Sequence, residues 1–407
     1  MRIAVYSSSF PVLSETFIIN QIVGLIKLGV EVDIIADKLV SSDVMHSSVK
    51  KYNLLERVKC SGIPQKKSKF AQIYFTAINS FFLIMKGRYS QFFNILFDHC
   101  LSNMQKMNLI YLLNRNHAKT LNYTNIICHF GNNGYYVCKL RELGLISGPV
   151  STVFHGQEMS SYNMVEKNIV AYKRLFISGD LMLPISNLWR SKLIEWGCEP
   201  SKIKVHRMGI DLNDFKMQNL KSALSSPLRV IQVGRLTEKK AILDSINAVL
   251  LASKKMPIDF TIIGDGELLQ EVKQFIALSD AKTFINLLGK QSQEVVKNNL
   301  NASDVFLLPS VRAKNGDMEG VPVALMEAMA NGLIALSTYH SGIPELIEDG
   351  VSGFLVEESQ VEQIANKLIK ISELSAEQVE RIRINARSKC TEEFDNDVLN
   401  QKLTKYY

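Results

Sequence analysis

The chain lacks most of the devices that staple, export or metallate a protein. Its six cysteines (Cys60, Cys100, Cys128, Cys138, Cys198, Cys390) are scattered, with no C-x-x-C spacing. They read as reduced thiols of a cytosolic protein. The start, Met1-Arg2-Ile3-Ala4-Val5-Tyr6, turns polar at Ser7-Ser8-Ser9, so no signal peptide is expected. The uncharged run Phe70 to Met85 holds Gln72, Thr76, Asn79 and Ser80, and is short and polar for a transmembrane span. The loop after the first apolar run is serine-rich and has no G-x-G-x-x-G, which argues against a simple dehydrogenase. No D-x-D follows a strand, no metal motif is present, and no nucleic-acid module accompanies the positive charge. Short-period repeats and low-complexity tracts are also missing.

What remains is an ordinary globular composition in 407 residues, 46% apolar and 21% charged, long enough for two domains. The formal charge of +7 is unevenly spread. Between Lys50 and Thr120 there are 12 basic residues and only two acids, Glu56 and Asp98. The same block carries Phe70, Tyr74, Phe75, Phe81, Phe82, Tyr89, Phe92, Phe93 and Phe97. Basic residues with clustered aromatics suit docking to an anionic membrane surface. Two ordinary helices with an aromatic core and solvated lysines would give the same pattern.

Strand, helix and strand patterns alternate on both sides of this block, which implies parallel sheets. In the first half the expected strands are Arg2 to Tyr6, Val30 to Ala36, Asn125 to His129, Val150 to Phe154, Leu181 to Ile185 and Lys202 to Arg207. Ser14 is the expected cap of the first helix, with Gly29 at its end. Phe130 to Gly134 reads as a loop, and 208–227 as a connection. The second half offers Leu228 to Val233, Phe260 to Ile263, Phe284 to Leu288, Val305 to Leu308, Leu333 to Ser337 and Gly353 to Val356. Two long amphipathic stretches, Val361 to Leu374 and Glu377 to Phe394, follow. The fold class is α/β, with two Rossmann-like domains and a ligand cleft between the carboxyl ends of their sheets.

The stretch Asp317 to Glu327 reads as loop and helix N-terminus, with Pro322 in the first turn and Gly332 just past the end at Ala330. Such a terminus presents unpaired N–H groups, here near Gly320 and Val321, and the positive end of the helix dipole. That is a place for a diphosphate. Arg235 and Lys240 follow a strand and could face the same cleft. Breaking a sugar–diphosphate bond leaves extra negative charge on the diphosphate, and two cations plus N–H groups can stabilise it in place of a metal. Glu319 and Glu327 are eight residues apart, roughly 12 Å along a helix at about 1.5 Å per residue. They suit opposite ends of a long ligand, Glu319 at a sugar and Glu327 at ribose hydroxyls. His155, at the end of a parallel strand, sits where α/β folds bind ligands.

These motifs together resemble the retaining, GT-B-fold glycosyltransferases of family 4, the group 1 transferases. The resemblance rests on Glu319-x7-Glu327 running on to Gly332, Phe10-Pro11-x-x-Ser14-Glu15-Thr16-Phe17, His129-Phe130-Gly131 and Phe154-His155-Gly156. It continues through Met208-Gly209-Ile210-Asp211, Gly234-Arg235-Leu236-x-Glu238-Lys239-Lys240, Gly264-Asp265-Gly266 and Ser341-Gly342-Ile343-Pro344-Glu345. It is nearest to the branch that builds bacterial exopolysaccharide, capsule or O-antigen units. It implies an acceptor-side domain over 1–207, a nucleotide-sugar domain over 208–390, and a helix over 391–407 returning to the first domain. It implies a UDP- or GDP-sugar donor bound without metal. Arg235 and Lys240 would serve the diphosphate, with Gly234 and Gly264 in the donor site, Glu327 the ribose, and Glu319, Gly320 and Val321 the sugar, with His155 near the reacting carbon. Glu319 and His155 are the catalytic candidates, Glu319 as nucleophile of a covalent route, while a front-face route is favoured. The acceptor would be an oligosaccharide or a polyprenyl-diphosphate-linked sugar, with the enzyme on the cytoplasmic face of the inner membrane. Ala241 and Pro322 stand where many relatives carry glycine. A sugar-nucleotide epimerase and a non-catalytic assembly subunit are the competing readings.

Overall fold

The computed structural model describes residues 1–12, 15–40, 47–60, 62, 69–115, 121–215 and 223–407. They form two six-stranded parallel sheets and a short pair, Leu121–Asn122 with Ile146–Ser147. The first sheet contains, in chain order, Arg2–Phe10, Glu31–Leu39, Val58–Cys60, Asn125–His129, Val150–Phe154 and Leu181–Pro184. The second contains Leu228–Val233, Ile258–Ile263, Ile285–Gly289, Val305–Leu308, Ile334–Thr338 and Phe354–Val356. Numbered by chain order within each sheet, both run 3-2-1-4-5-6 across the sheet. The order reverses between strands 1 and 4, and ligands of doubly wound sheets bind at the carboxyl ends there.

Burial follows from this layering. Asn125–His129, Val150–Phe154 and Ile334–Thr338 are buried at every residue, as parallel strands covered on both faces must be. Neighbouring residues feed different cores. Val230, Leu307 and Leu336 enter one core of the second domain, and Ile231, Phe306, Leu308 and Ala335 enter the other.

Several expected boundaries move. Ser7 to Phe10, expected as loop, continue the first strand because Ser7, Ser9 and Phe10 pair with Ala36, Lys38 and Leu39. Phe130 to Gly134 is not a loop: the helix Gly131–Glu142 begins at once. Its start is capped by a distant side chain, the carboxylate of Glu158, which accepts from Gly131 N at 2.7 Å. The segment from Lys202 to Arg207 forms no full strand. It lies beside Leu181–Pro184, with Lys204 N donating to Met182 O and His206 N to Pro184 O, each at 3.0 Å. Ser14, Lys66, Lys67 and Lys119 lie outside the described residues. The first helix, Thr16–Lys27, follows Glu15.

The C-terminal helix, Asn396–Thr404, returns to the first domain as expected. It packs on Thr16–Lys27, where a Cβ on Gly24 would lie 2.0 Å from the Asn400 amide nitrogen. Leu403 is fully buried in the first core. Where the chain crosses back, Ile210 N donates to Phe394 O at 2.9 Å and Asn396 N to Ile210 O at 3.0 Å. The two passages between the domains are therefore paired to each other.

Ala241 precedes the helix Ile242–Ser253 at φ 45° and ψ 45°, a left-handed conformation. A Cβ there costs roughly 1–2 kcal/mol. Ala241→Gly should therefore stabilise the fold by up to about 1 kcal/mol after glycine's greater chain entropy is subtracted. A scanning calorimeter would read this as a raised Tm, and a lowered Tm would contradict it.

Candidate active site

The site is built where the second sheet's first strands end. Leu228–Val233 runs into Gly234 and Ile258–Ile263 into Gly264. A Cβ on Gly264 would sit 1.8 Å from Gly234 O, so only glycine fits there. Bare backbone thus faces the cleft. Leu236 N donates to Asp265 O and Leu268 N to Leu236 O, each at 3.0 Å, which ties the two glycine loops together. Arg235 projects from this floor. Its side chain is exposed and meets no hydrogen-bonding or ionic partner among the described residues.

The next two lysines hold the loop that precedes the helix Val323–Ala330. Lys239 is buried and its Nζ lies 3.1 Å from Asp317 and 3.2 Å from Met318 O. Lys240 Nζ lies 3.2 Å from Glu319 Oε1, and Lys239 Nζ is 4.0 Å from the same atom. Burial alone would raise the Glu319 carboxyl. Lys240 and then Lys239 outweigh it and hold the group below the usual glutamate value. The Glu319 backbone is fixed as well. Its N–H donates to His340 Nε2 at 3.1 Å, and its carbonyl accepts from Ser341 Oγ at 2.5 Å. Because Nε2 accepts, the proton sits on His340 Nδ1, which donates to Glu358 Oε1 at 2.6 Å. Burial lowers the His340 pKa despite Glu358, so this ring is neutral.

Pro322 is the cap of the following helix rather than its first residue, at φ −66° and ψ 121°. Its carbonyl accepts from Leu325 N and Met326 N. The N–H groups of Gly320, Val321, Val323 and Ala324 have no hydrogen-bonded acceptor among the described residues. They are a set of donors for an anion. One helical turn on, Glu327 lines an interdomain cleft of about 530 Å³. Asn20, Lys27 and Tyr52 face it from the first domain, and Asp214 and Lys297 from the second. Burial pushes the Glu327 carboxyl up to about 7, with Lys297 drawing it down and Asp214 adding to the rise.

The first domain meets this loop through a glycine. A Cβ on Gly156 would lie 2.7 Å from Gly320 N. Met318 N donates to Ser160 Oγ at 3.0 Å across the same boundary. His155 sits one residue behind Gly156, buried between Phe17 and Phe130 at centroid distances of 4.6 and 4.9 Å. Its Nε2 is 3.1 Å from His129 Nδ1, and its Nδ1 is 3.2 Å from Met208 Sδ. Burial pushes the His155 pKa down to about 3, so the ring is neutral. Glu158 fixes its backbone, accepting from His155 N at 2.9 Å while it caps Gly131. Burial raises Glu158 to about 7 against these two N–H groups and Tyr172.

Glu345 provides a further bridge. It accepts from Asn187 N at 2.6 Å, Asn187 Nδ2 at 3.0 Å and Arg207 Nη2 at 2.9 Å. The structure thus joins Lys240 to Glu319, next to Gly320, with Arg235, Gly234 and Gly264 on the loops at the strand ends. His155 stands behind Gly156 with both ring nitrogens engaged, and Glu327 opens onto the interdomain cleft. Among the described residues, no group of three or more His, Cys, Asp or Glu is placed to hold a metal ion. Sequence reasoning missed Lys239, His340, Glu158 and Glu358 as supports. Each acts on a residue distant in sequence, and only the motif neighbours of Lys239 and His340 hinted at them.

Residues 216–389 match the family described as glycosyl transferases group 1. The amylovoran biosynthesis glycosyltransferase AmsK of Erwinia amylovora is 38% identical over 406 residues, 99% of this chain and 98% of its own length. The UDP-Gal:alpha-D-GlcNAc-diphosphoundecaprenol alpha-1,3-galactosyltransferase of Escherichia coli is 30% identical over 187 residues, 43% of this chain and 46% of its own. The crystal structure of Anabaena HepE in complex with UDP and glucose shares the two-domain GT-B fold at a TM-score of 0.72. It is 16% identical, with 100% of this chain and 99% of that chain covered. With a relative matched end to end and the family signature across the second domain, the chain belongs to the group 1 glycosyltransferases.

Proposed function

We propose that the protein transfers a sugar, with retention of anomeric configuration, from a UDP- or GDP-sugar to a lipid-linked saccharide acceptor in bacterial surface-polysaccharide synthesis. The observation that carries this reading is Arg235 and the N–H groups of Gly320, Val321, Val323 and Ala324, none of which has a partner among the described residues, on the same strand ends as Lys240. We read them together as an anion site on the glycine floor. Named relatives support the class: AmsK belongs to amylovoran biosynthesis, and the galactosyltransferase acts on a diphosphoundecaprenol-linked sugar. The reading is supported by the second sheet's topology: the loops after its first and fourth strands flank the point where strand order reverses, where ligands of doubly wound sheets bind.

In this reading the sugar C1–O bond breaks and its electron pair leaves on the diphosphate. Arg235, Lys240 and the N–H groups take up that charge. Until the donor binds, Glu319 holds Lys240 in position as an internal anion. The acceptor hydroxyl bonds to C1 on the face the diphosphate leaves, and its proton passes to the departing phosphate oxygen. Glu319 is a poor nucleophile for the covalent alternative, because two lysines draw on its carboxylate and depress its basicity. It serves instead to orient the sugar beside Gly320 and Val321. Glu327 receives the ribose hydroxyls. His155, neutral and fixed by Glu158, shapes the sugar side of the cleft as a hydrogen-bonding group rather than as a cation. The chain works on the cytoplasmic face of the membrane, since that is where nucleotide sugars meet lipid-linked acceptors.

Purified protein given UDP- and GDP-sugars with EDTA and a polyprenyl-diphosphate-linked sugar should release nucleoside diphosphate and lengthen the acceptor. An absolute requirement for added metal, or an altered sugar nucleotide without any acceptor product, would sink the reading. Arg235→Ala should lower kcat by roughly 10²–10³ with an unchanged Tm, because the side chain has a charge-stabilising role and no structural partner. Undiminished turnover would remove Arg235 from the site. Glu327 must ionise to accept two hydroxyls, so nucleoside diphosphate affinity should rise as pH increases through about 7. Glu327→Gln should flatten that pH dependence and weaken binding about tenfold at pH 8. Titration calorimetry from pH 6 to about 8 reads both effects, and a variant that kept the wild-type slope would place the titrating group elsewhere.

A further inference from the structure

The helix Lys69–Met85 is built inside out. A helix on a domain surface ordinarily turns its apolar stripe to the core. Here Phe70, Tyr74, Phe81 and Met85 are 84%, 70%, 60% and 69% exposed, and with Ile73 and Ala77 they form one stripe at helical spacing. The polar residues lie on the opposite side. Asn79 is buried, donates Nδ2 to Phe75 O at 2.7 Å and accepts from Asn114 Nδ2 at 2.9 Å. Thr76 and Ser80 donate to Gln72 O and Thr76 O. Among its described side chains, Leu83 is the one fully buried apolar anchor of this helix. The helix Tyr89–Leu96 extends the outer surface with exposed Tyr89 and Phe93, and Phe93 stacks on exposed Phe97 at 6.0 Å.

Charge selects the occupant. The sequence has no acid between Glu56 and Asp98. Asp98 itself is buried under Tyr135, Arg174 and Lys139 at 2.6, 3.1 and 3.6 Å. The helix pair carries no acid, and the basic Lys86 and Arg88 at its turn, which donate to Asn114 O and Leu113 O, leave it net positive. A second copy of this face would repel it, whereas an anionic lipid surface attracts it. At 17 residues the helix is about 26 Å long. No helix among the described residues is long and apolar enough to cross a membrane. An apolar stripe of this kind lies in the interface plane.

We propose that the outer face of Lys69–Met85 and Tyr89–Leu96 inserts into the hydrocarbon boundary of an anionic membrane leaflet. The side chains go in and the helix axes lie parallel to the surface. The inference rests on the reading that the acceptor is carried by a lipid, and it assigns the contact to apolar insertion rather than to charge alone.

A Phe81→Trp variant tests it on the full chain, since Trp189 is buried and Trp196 half-buried and both give a steady background. With vesicles of phosphatidylcholine and about 30% phosphatidylglycerol, its emission should shift to the blue and be quenched by lipids brominated high on the acyl chain. The triple variant Phe70→Ser, Tyr74→Ser, Phe81→Ser should bind these vesicles at least about tenfold more weakly. It should still release nucleoside diphosphate from the donor in solution. Absent quenching, or unchanged vesicle affinity in the triple variant, overturns the proposal. So does a dimer in solution that the triple variant abolishes, because the face would then be a self-interface. Vesicle insertion without any sugar transfer would leave this proposal standing and remove the function above.

Discussion

The Lys240–Glu319 ion pair is the contact on which the site's arrangement depends. Both groups are largely removed from water, and such a pair is rarely a net source of stability because desolvation consumes most of the attraction. Its value is positional. It joins the loop after the second sheet's first strand to the loop after its fourth, across the point where strand order reverses. Lys239 reinforces the same join through Asp317 and Met318 O. Between them the lysines set where Gly320 lies, and Gly320 is where the first domain approaches through Gly156. One electrostatic pin thus fixes the height of the floor and the width of the cleft.

How much of this was legible in the sequence differed by the range of each cause. Most parallel strands were readable because apolar runs are local signals, but the three-residue edge strand Val58–Cys60 was not expected and Lys202 to Arg207 formed no full strand. Gly332 was readable for the same reason, and it takes φ 84°. The start of the helix at Gly131 was not, because its cap is Glu158, which lies on another loop. The tautomer of His340 was equally hidden, since Glu358 and Glu319 N determine it from opposite sides. The pairing of Glu319 with Lys240 escaped the motif reading, which assigned the carboxylate directly to a sugar. The aromatic block shows the limit most clearly. Periodicity identifies a stripe but not the side it faces, and the structure turns Phe70 and Phe81 outward with Asn79 inward.

The fold and the chemistry are divided between the domains. The second sheet supplies a floor of bare backbone and lysines, which in the proposed function holds the diphosphate. The first domain faces that floor across the cleft with Asn20, Lys27 and Tyr52, and meets its loop at Gly156. The neutral histidines fit this division. His155 and His340 contribute fixed dipoles, so positive charge in the site is confined to Arg235 and the lysines.

The paired crossings at Ile210 and Asn396 bear on time rather than on structure. Two strands of chain tied by backbone hydrogen bonds form a single flexure, about which the domains rotate together like leaves on one pin. Sliding motions would have to break the tie, whereas opening and closing need not. In the proposed function, rotation about this ribbon, once the Met318–Ser160 and Glu345–Asn187 bridges part, admits donor and sheds spent nucleotide, and the ribbon's stiffness would set the pace of turnover whenever release is slower than bond breaking.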